Sequence, residues 1–247
     1  MKIAVISDIH GNIDALNAVM DDIKANLCEK TFVLGDYAMA GPEPRNTVDW
    51  FFRKQFDKNF KMIKGNTDLM LAQYSNEVFE NVKLKAPIMA EALRNDYSAL
   101  NPVQRDFLNS LPEYLELEIE GVKFLLVHGS PRKNDENIFP DTPLGEIEKM
   151  LENVQADVVL CGHTHIPCGF QTASKKTVVN VGSVGRPFTE DARSSYLIIN
   201  VQKGKCVFEH RSIKYDNEVA SLKLKRRNFS GAEKLAEMLI NPSVRHM

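Results

Sequence analysis

This sequence has few features of a membrane protein, a disulfide scaffold or a nucleic-acid-binding surface. Only four cysteines, Cys28, Cys161, Cys168 and Cys206, occur in 247 residues, and no two form a C-x-x-C pair. That spacing excludes a disulfide framework and a zinc knuckle, so buried or incidental thiols are expected. No apolar run approaches the ~18 residues a membrane span needs. The N-terminal stretch Ile3 to Ile6 meets Asp8 too early to be the core of a signal peptide. A soluble, cytoplasmic protein without a membrane partner is therefore expected. Neither sign of charge is in excess: Lys+Arg 31 against Asp+Glu 33 give a net −2, so no bulk field holds nucleic acid. Internal repeats and low-complexity tracts are absent. What is present, 43% hydrophobic and 26% charged residues, is the composition of a globular protein with material for a sizeable core.

The hydrophobic pattern predicts alternating strands and helices. Ile3 to Ile6 is a continuous, β-branched apolar run, as expected of a strand buried on both faces. Leu16, Val19, Met20, Ile23 and Leu27 then fall at helical spacing behind a candidate N-cap, Asn12. A strand at Thr31–Leu34, a helix near Thr47–Lys54 and a short strand at Lys61–Ile63 continue the alternation, which implies parallel βαβ units. Residues 69–111 read as a helical insertion or cap, with Asn101 and Pro102 placed to start its last helix. A hairpin turning at Glu120-Gly121 follows, between strands Tyr114–Ile119 and Lys123–Val127. Further on come a helix between Pro143 and Asn153 and strands at Val158–Cys161, Thr177–Val181, Tyr196–Val201 and Lys205–His210. The expected division is one domain over 1–220 and a tail over 221–247, with Lys223–Arg227 a solvated charge run and a short helix at Ala232–Ile240.

Polar residues able to bind a hard or borderline divalent metal stand just beyond the predicted strands. They are Asp8-Ile9-His10, Gly35-Asp36, Gly65-Asn66-Thr67-Asp68, His128-Gly129 and Gly162-His163-Thr164-His165. Loops at the carboxyl ends of strands are where open α/β sheets build sites. Singly, each has a simpler reading: Asp8 a cap, Gly35-Asp36 a turn, Asn66 a left-handed loop residue. Together they supply two carboxylates, one amide oxygen and four of the six histidines. That set is too large for one tetrahedral zinc and suits two ions sharing a bridging group. Two divalent cations outweigh two carboxylates, and the surplus positive charge favours an anion such as a phosphate ester.

The five motifs, in this order, resemble those of the calcineurin-like metallophosphoesterases, particularly the small bacterial and archaeal phosphodiesterase-like members. The resemblance spans Met1 to about His210. It implies an α/β fold, a four-layer αββα sandwich, with one metal held by Asp8, His10, Asp36 and His165. The other would be held by Asp36, Asn66, His128 and His163, with Asp36 the bridge and Asp36, Asn66 and His128 the catalytic group. It further implies two divalent ions, manganese first with iron, nickel or zinc also compatible, and attack on phosphorus by a metal-bridging hydroxide. The expected partner is a small phosphate ester or nucleotide. Phosphodiester hydrolysis is the first expectation. Phosphomonoesterase, protein phosphatase, dinucleoside-polyphosphate hydrolase (Gly41-Pro42 faintly resembles the last) and a metal-binding scaffold of the same fold are the alternatives.

Thr67 departs from the family, many of whose members carry a histidine there. A hydroxyl is a poor proton donor at neutral pH, so modest turnover and a preference for good leaving groups are expected. Asp68 either hydrogen-bonds a ligand or caps the following helix. The segment Gly182-Ser183-Val184-Gly185-Arg186 resembles one in the small phosphodiesterase-like members, where Arg186 would contact phosphate. The simpler reading, an exposed arginine in a hairpin loop, is preferred for Arg186 and more strongly for Arg132. His210 and His246 fall outside every motif.

Overall fold

A computed structural model describes residues 1–243; His246 lies outside them. In chain order the first half comprises β1 (Lys2–Ile6), α1 (Ile13–Ala25), β2 (Lys30–Val33), α2 (Pro44–Phe52), β3 (Phe60–Met62), α3 (Asn66–Ala72), α4 (Asn76–Lys85), α5 (Pro87–Ala99) and α6 (Pro102–Ser110). The second half comprises β4 (Leu115–Ile119), β5 (Val122–Leu126), α7 (Leu144–Met150), β6 (Val158–Cys161), β7 (Cys168–Gln171), β8 (Thr177–Asn180), β9 (Ser194–Gln202), β10 (Lys205–Ile213), α8 (Asn217–Lys225) and α9 (Ala232–Glu237).

The strands form two mixed sheets ordered β10-β9-β1-β2-β3 and β4-β5-β6-β8-β7. In the first, β1, β2 and β3 are parallel; in the second, β5, β6 and β8 are. Alternate residues of β1 explain its unbroken apolar run. Ile3 and Val5 face the second sheet beside Phe32, Leu126 and Leu160, while Ala4 and Ile6 face helices beside Leu16 and Val19. The second sheet does the same, with Phe124 and Leu126 turned inward and Leu125 and Val127 packed on Ile147 and Met150 of α7. Helices, sheet, sheet and helix therefore stack as the sequence predicts for an αββα sandwich. Helices α3 to α6 share the outer core of the first sheet with α1 and α2.

Local signals account for most boundaries. The Asn12 side chain accepts the Ala15 N–H at the start of α1, and Asn101 and Gln104 cap α6 reciprocally. Glu120 and Gly121 both take left-handed backbone (φ 49° and 79°), the two-residue hairpin geometry. No described helix is long and apolar enough to cross a membrane.

Two expectations need correction, and two elements were not anticipated. Leu27 is not on the α1 stripe: it follows the C-cap at φ 56° and is 81% exposed, because the helix stops before its position can turn inward. The Lys223–Arg227 run is not simply a solvated face. Most of it ends α8, where Lys223 Nζ sits 2.8 Å from Asp14 and 2.6 Å from Glu43, and Arg227 lies beyond that helix, 2.6 Å from the fully buried Asp96. Only Lys225 and Arg226 are exposed there. Helix α8 and strand β7 carry no legible period, since α8 buries the small Ala220 and Ser221 beside Leu224 and β7 is a four-residue edge strand.

Candidate metal centre

The six parallel strands deliver the motif residues to one end of the sandwich. Asp8 and His10 follow β1, Asp36 follows β2, Asn66 follows β3, His128 follows β5, and His163 and His165 follow β6. The segment after β8 carries Arg186. Five of these residues hold left-handed backbone: Asp8 (φ 55°), His10 (48°), Asp36 (56°), His163 (67°) and His165 (65°). Each such conformation costs a non-glycine residue about 1–2 kcal/mol, so the loops trade stability for the direction in which these side chains point. Two neighbouring glycines are required by contact. A Cβ on Gly65 would fall 2.0 Å from Asp36 Oδ1, and one on Gly162 2.4 Å from Asp8 Oδ2.

Three imidazoles are oriented identically by backbone carbonyls. His10 Nδ1 lies 2.8 Å from Met39 O, His128 Nδ1 2.7 Å from Leu34 O and His165 Nδ1 2.5 Å from Arg186 O. Donating there turns the Nε2 of each ring inward. Burial lowers His128, but Asp36 and Asp8 outweigh it and raise it to about 10, so without an ion its Nε2 holds a proton that a metal would displace. The three Nε2 atoms converge on the carboxylates. Asp8 Oδ1 is 3.1 Å from His165, 3.8 Å from His10 and 3.9 Å from His128, and Asp36 Oδ2 is 3.6 Å from His10 and 3.4 Å from His128. His10 and His165 present Nε2 atoms 3.1 Å apart, and Asn66 Oδ1 is 3.0 Å from His128 Nε2. Asp8 Oδ1 is buried with no hydrogen-bond partner among the described residues.

This arrangement fits a cation. Lone pairs facing one another 3–4 Å apart repel unless positive charge lies between them, and donors ~2.1 Å from one ion at right angles stand ~3 Å apart. Two groups of three donors, each within 4.8 Å of one another, could close on an ion: Asp8, His10 and His165, and Asp8, Asp36 and His128. Carboxylate, amide and imidazole donors suit divalent first-row metals.

The electrostatics prepare both carboxylates for ligation. Burial pushes Asp8 upward, but His165 and His128 outweigh it and hold its carboxyl well below the ordinary range. Asp36 is likewise pushed up by burial, yet His128 brings it to about 2. Burial and the nearby His128 charge lower His163 to about 4, so its ring is neutral at physiological pH.

The remaining predicted residues fall into distinct places. His163 donates its backbone N–H to Asp8 Oδ2 (3.0 Å), and its ring centroid lies 5.3 Å from that of His128. Thr67 donates its N–H to Asp36 Oδ1 (2.9 Å) and its hydroxyl to Ala38 O (3.1 Å), which turns that proton toward backbone. Asp68 is fully buried and accepts three backbone N–H groups. Its carboxylate caps α3 through Gly65 N (2.8 Å) and pins the ligand loop through Asp36 N (2.7 Å) and Tyr37 N (3.0 Å). Burial and Asp36 push that carboxyl up to about 7 against these three donors. Arg186 corrects the preferred expectation: it is 7% exposed and turned inward beside Phe188 (5.3 Å to the ring) and Met89 Sδ (3.3 Å). Arg132 is a surface residue paired with Glu136, and His210 is an exposed strand residue.

Sequence reasoning missed a buttress behind His10. Asp96 Oδ2 of α5 accepts the Met39 N–H (2.8 Å), Met39 O orients His10, and Arg227 Nη1 lies 2.6 Å from Asp96 Oδ1 and donates to Gly41 O (2.7 Å). No local pattern marks Asp96, although an aspartate on the buried side of a helix is a signal that could have found it.

A cavity of about 420 Å³ opens beside His10, Asp36, His165 and Arg186. A larger groove of about 1040 Å³ lies on the His128 side, where Arg132, Lys133, Asp135 and Glu152 line it. Asn66 and Met70 border both.

Comparison with known proteins finds relatives in sequence and in fold. Residues 1–204 match the calcineurin-like phosphoesterase superfamily domain. The chain is 30% identical over 232 residues, covering 87% of it and 85% of the relative, to the uncharacterized protein MJ0912 of Methanocaldococcus jannaschii. Two crystal structures share the fold. Hypothetical protein PH1004 from Pyrococcus horikoshii OT3 superposes with a TM-score of 0.84 at 23% identity over 99% of each chain. A metallophosphoesterase from Sphaerobacter thermophilus does so with a TM-score of 0.76 at 24% identity over 98% of each.

Proposed function

The chain belongs to the calcineurin-like phosphoesterase superfamily, and we propose that within it this protein is a dinuclear metal-dependent phosphodiesterase acting on small phosphate esters or nucleotides. The observation that carries the proposal is the buried Asp8 Oδ1, which has no hydrogen-bond partner among the described residues and lies 3.1–3.9 Å from three inward imidazole nitrogens. One ion would be held by Asp8, His10, Asp36 and His165, and the other by Asp36, Asn66, His128 and His163. Asp36 Oδ2, between His10 and His128, supports its assignment as the shared carboxylate. Asp8 Oδ1 also reaches both donor groups, so Asp8 could be shared as well.

Divalent ions bound there, manganese first, would polarise the phosphoryl oxygens and bring the pKa of water down toward neutrality. The chain's own part is placement. Met39, Leu34 and Arg186 carbonyls fix the imidazole tautomers. Asn66 and His128 meet at the border between cavity and groove, where the ester's phosphate would sit. Arg186 adds positive charge on the opposite side. Because the Thr67 hydroxyl is turned to Ala38 O, the leaving oxygen departs without a proton from that position, which favours acidic alcohols. Residues 69–111 would cover the site, and the stretch beyond residue 220 belongs to the same unit, since α8 and α9 pack into the outer core and Arg227 and Met238 reach the loop and the cavity beside His10.

Hydrolysis of bis(4-nitrophenyl) phosphate by protein reconstituted with Mn²⁺, alongside Asp36→Asn and a metal count per chain, tests the proposal. Turnover with two ions bound, lost in Asp36→Asn, is expected. Wild type as inert as the variant with Mn, Fe, Ni and Zn alike would leave a scaffold of the same fold. Faster turnover of a phosphomonoester, a phosphopeptide or a dinucleoside polyphosphate would move the assignment to that class.

A further inference from the structure

The cavity beside the candidate metal centre has two unlike walls. One is the ligand set with Arg186; the other is Met39, Met70, Val82, Met89, Phe188 and Met238. The apolar residues come from the loop after β2, from α3, α4 and α5, from the segment after β8 and from the C-cap of α9. Six distant segments thus contribute apolar side chains to this cavity. Phe188 stacks flat on His165, with centroids 4.7 Å apart and planes at 7°, so the apolar wall begins at van der Waals contact with a candidate ligand. Methionine is unbranched and polarizable, and such side chains form adaptable surfaces for apolar guests. The groove on the other side, by contrast, is edged by ion-paired side chains such as Arg132–Glu136 and Lys133–Asp135.

We infer that the methionine-lined cavity is a specificity pocket for an uncharged apolar ester substituent, aryl or alkyl, of the phosphodiester whose phosphate binds at the metal centre. The inference rests on the function proposed above and deepens it. A polar substituent, such as a second phosphate or a sugar, would lose its water in this pocket and, away from the ligand set, find only Arg186, Thr67 and Ser243 among mainly apolar side chains. The carbons by which phenyl exceeds methyl would leave water there, worth roughly ten- to hundred-fold in affinity.

Three diesters with a common 4-nitrophenolate leaving group separate pocket from chemistry: methyl, phenyl and glyceryl 4-nitrophenyl phosphate. The phenyl ester is expected to exceed the methyl ester by ten-fold or more in kcat/KM, with the glyceryl ester close to methyl. In Met89→Gln/Met238→Gln the phenyl-to-methyl ratio should fall at least five-fold. This ratio is internal to each protein, so partial loss of folded enzyme cancels. Calorimetry on the metal-loaded protein supplies a readout without turnover: phenylphosphonate should bind at least ten-fold tighter than methylphosphonate.

Equal kcat/KM for methyl and phenyl esters, or a glyceryl ester as good as the phenyl, would overturn the pocket and leave the phosphodiesterase intact. If no diester is turned over, the phosphodiesterase assignment fails, and the phosphonate pair alone decides the pocket: equal binding overturns it, tighter phenylphosphonate supports it.

Discussion

The two walls of the small cavity obey different rules. The ligand wall is made of strand-end loops with left-handed backbone, buried charge and carbonyl-fixed rings, and each atom's position matters to a fraction of an ångström. The opposite wall is made mostly of side chains from helices, with unbranched methionines that can repack and with Met89 Sδ accepting from Arg186. Chemistry that needs a few fixed donors is thus placed on the rigid ends of parallel strands. Selection of a substituent by shape and apolarity is left to helices, whose side chains tolerate exchange.

The sharpest way to break the comparison is at the ligand wall. Asp8→Asn should remove metal binding and lower kcat/KM by at least about 10³-fold, since it deletes a charge common to both donor groups; metal analysis with steady-state kinetics checks it. Gly162→Ala should follow at roughly 10²-fold, because its Cβ would meet Ser7 Oγ at 2.2 Å and Asp8 Oδ2 at 2.4 Å. A variant with unchanged metal affinity would show that this loop is looser than its contacts indicate.

Behind the wall, Arg227→Met leaves the buried Asp96 uncompensated and loosens Met39 and His10. About ten-fold weaker metal binding with a lowered Tm is expected, measured by metal titration and thermal melts. On the helix wall Met70→Leu should change kcat/KM less than about five-fold, as volume-conserving apolar exchanges do. A larger loss would mean that this wall, too, is a fixed template.

Remote from both walls, Asp22→Asn serves as the control. Asp22 joins α1 to β9 and β10 through Tyr196 Oη (2.5 Å) and Arg211 (2.9 and 3.0 Å). Burial raises its carboxyl, but these hydrogen bonds outweigh that and hold it below the ordinary range. Its folded pKa is therefore depressed, so its stabilisation is complete above the unfolded carboxylate pKa and is lost as pH falls through the folded value. The variant should be destabilised by about 1–2 kcal/mol at pH 7, with the gap closing below about pH 4, and should keep its kcat. Urea melts at both pH values decide it.

How far the sequence could be read depended on the range of the signal. Strand β1 was legible because burial on both faces leaves only apolar residues between Ile3 and Ile6. Asn12 and Asn101 were legible as caps because their partners, Ala15 and Gln104, lie three residues away. Helix α8 was not, since it docks on small residues, Ala220 and Ser221, that have no amphipathic signature. Nor was the inward turn of Arg186, which depends on Met89 of α5 and on Phe188 closing over His165.

By itself the sequence determined the residue types at the strand ends and the alternation that carries them there, because metal ligation demands particular atoms and strand burial demands particular patterns. The tertiary structure decided which of those atoms face one another, how Asp96 and Arg227 brace the loop beneath His10, and that methionines from separate helices close the cavity. These contacts join generic side chains across many residues. Their pairing is fixed only when the helices dock on the first sheet.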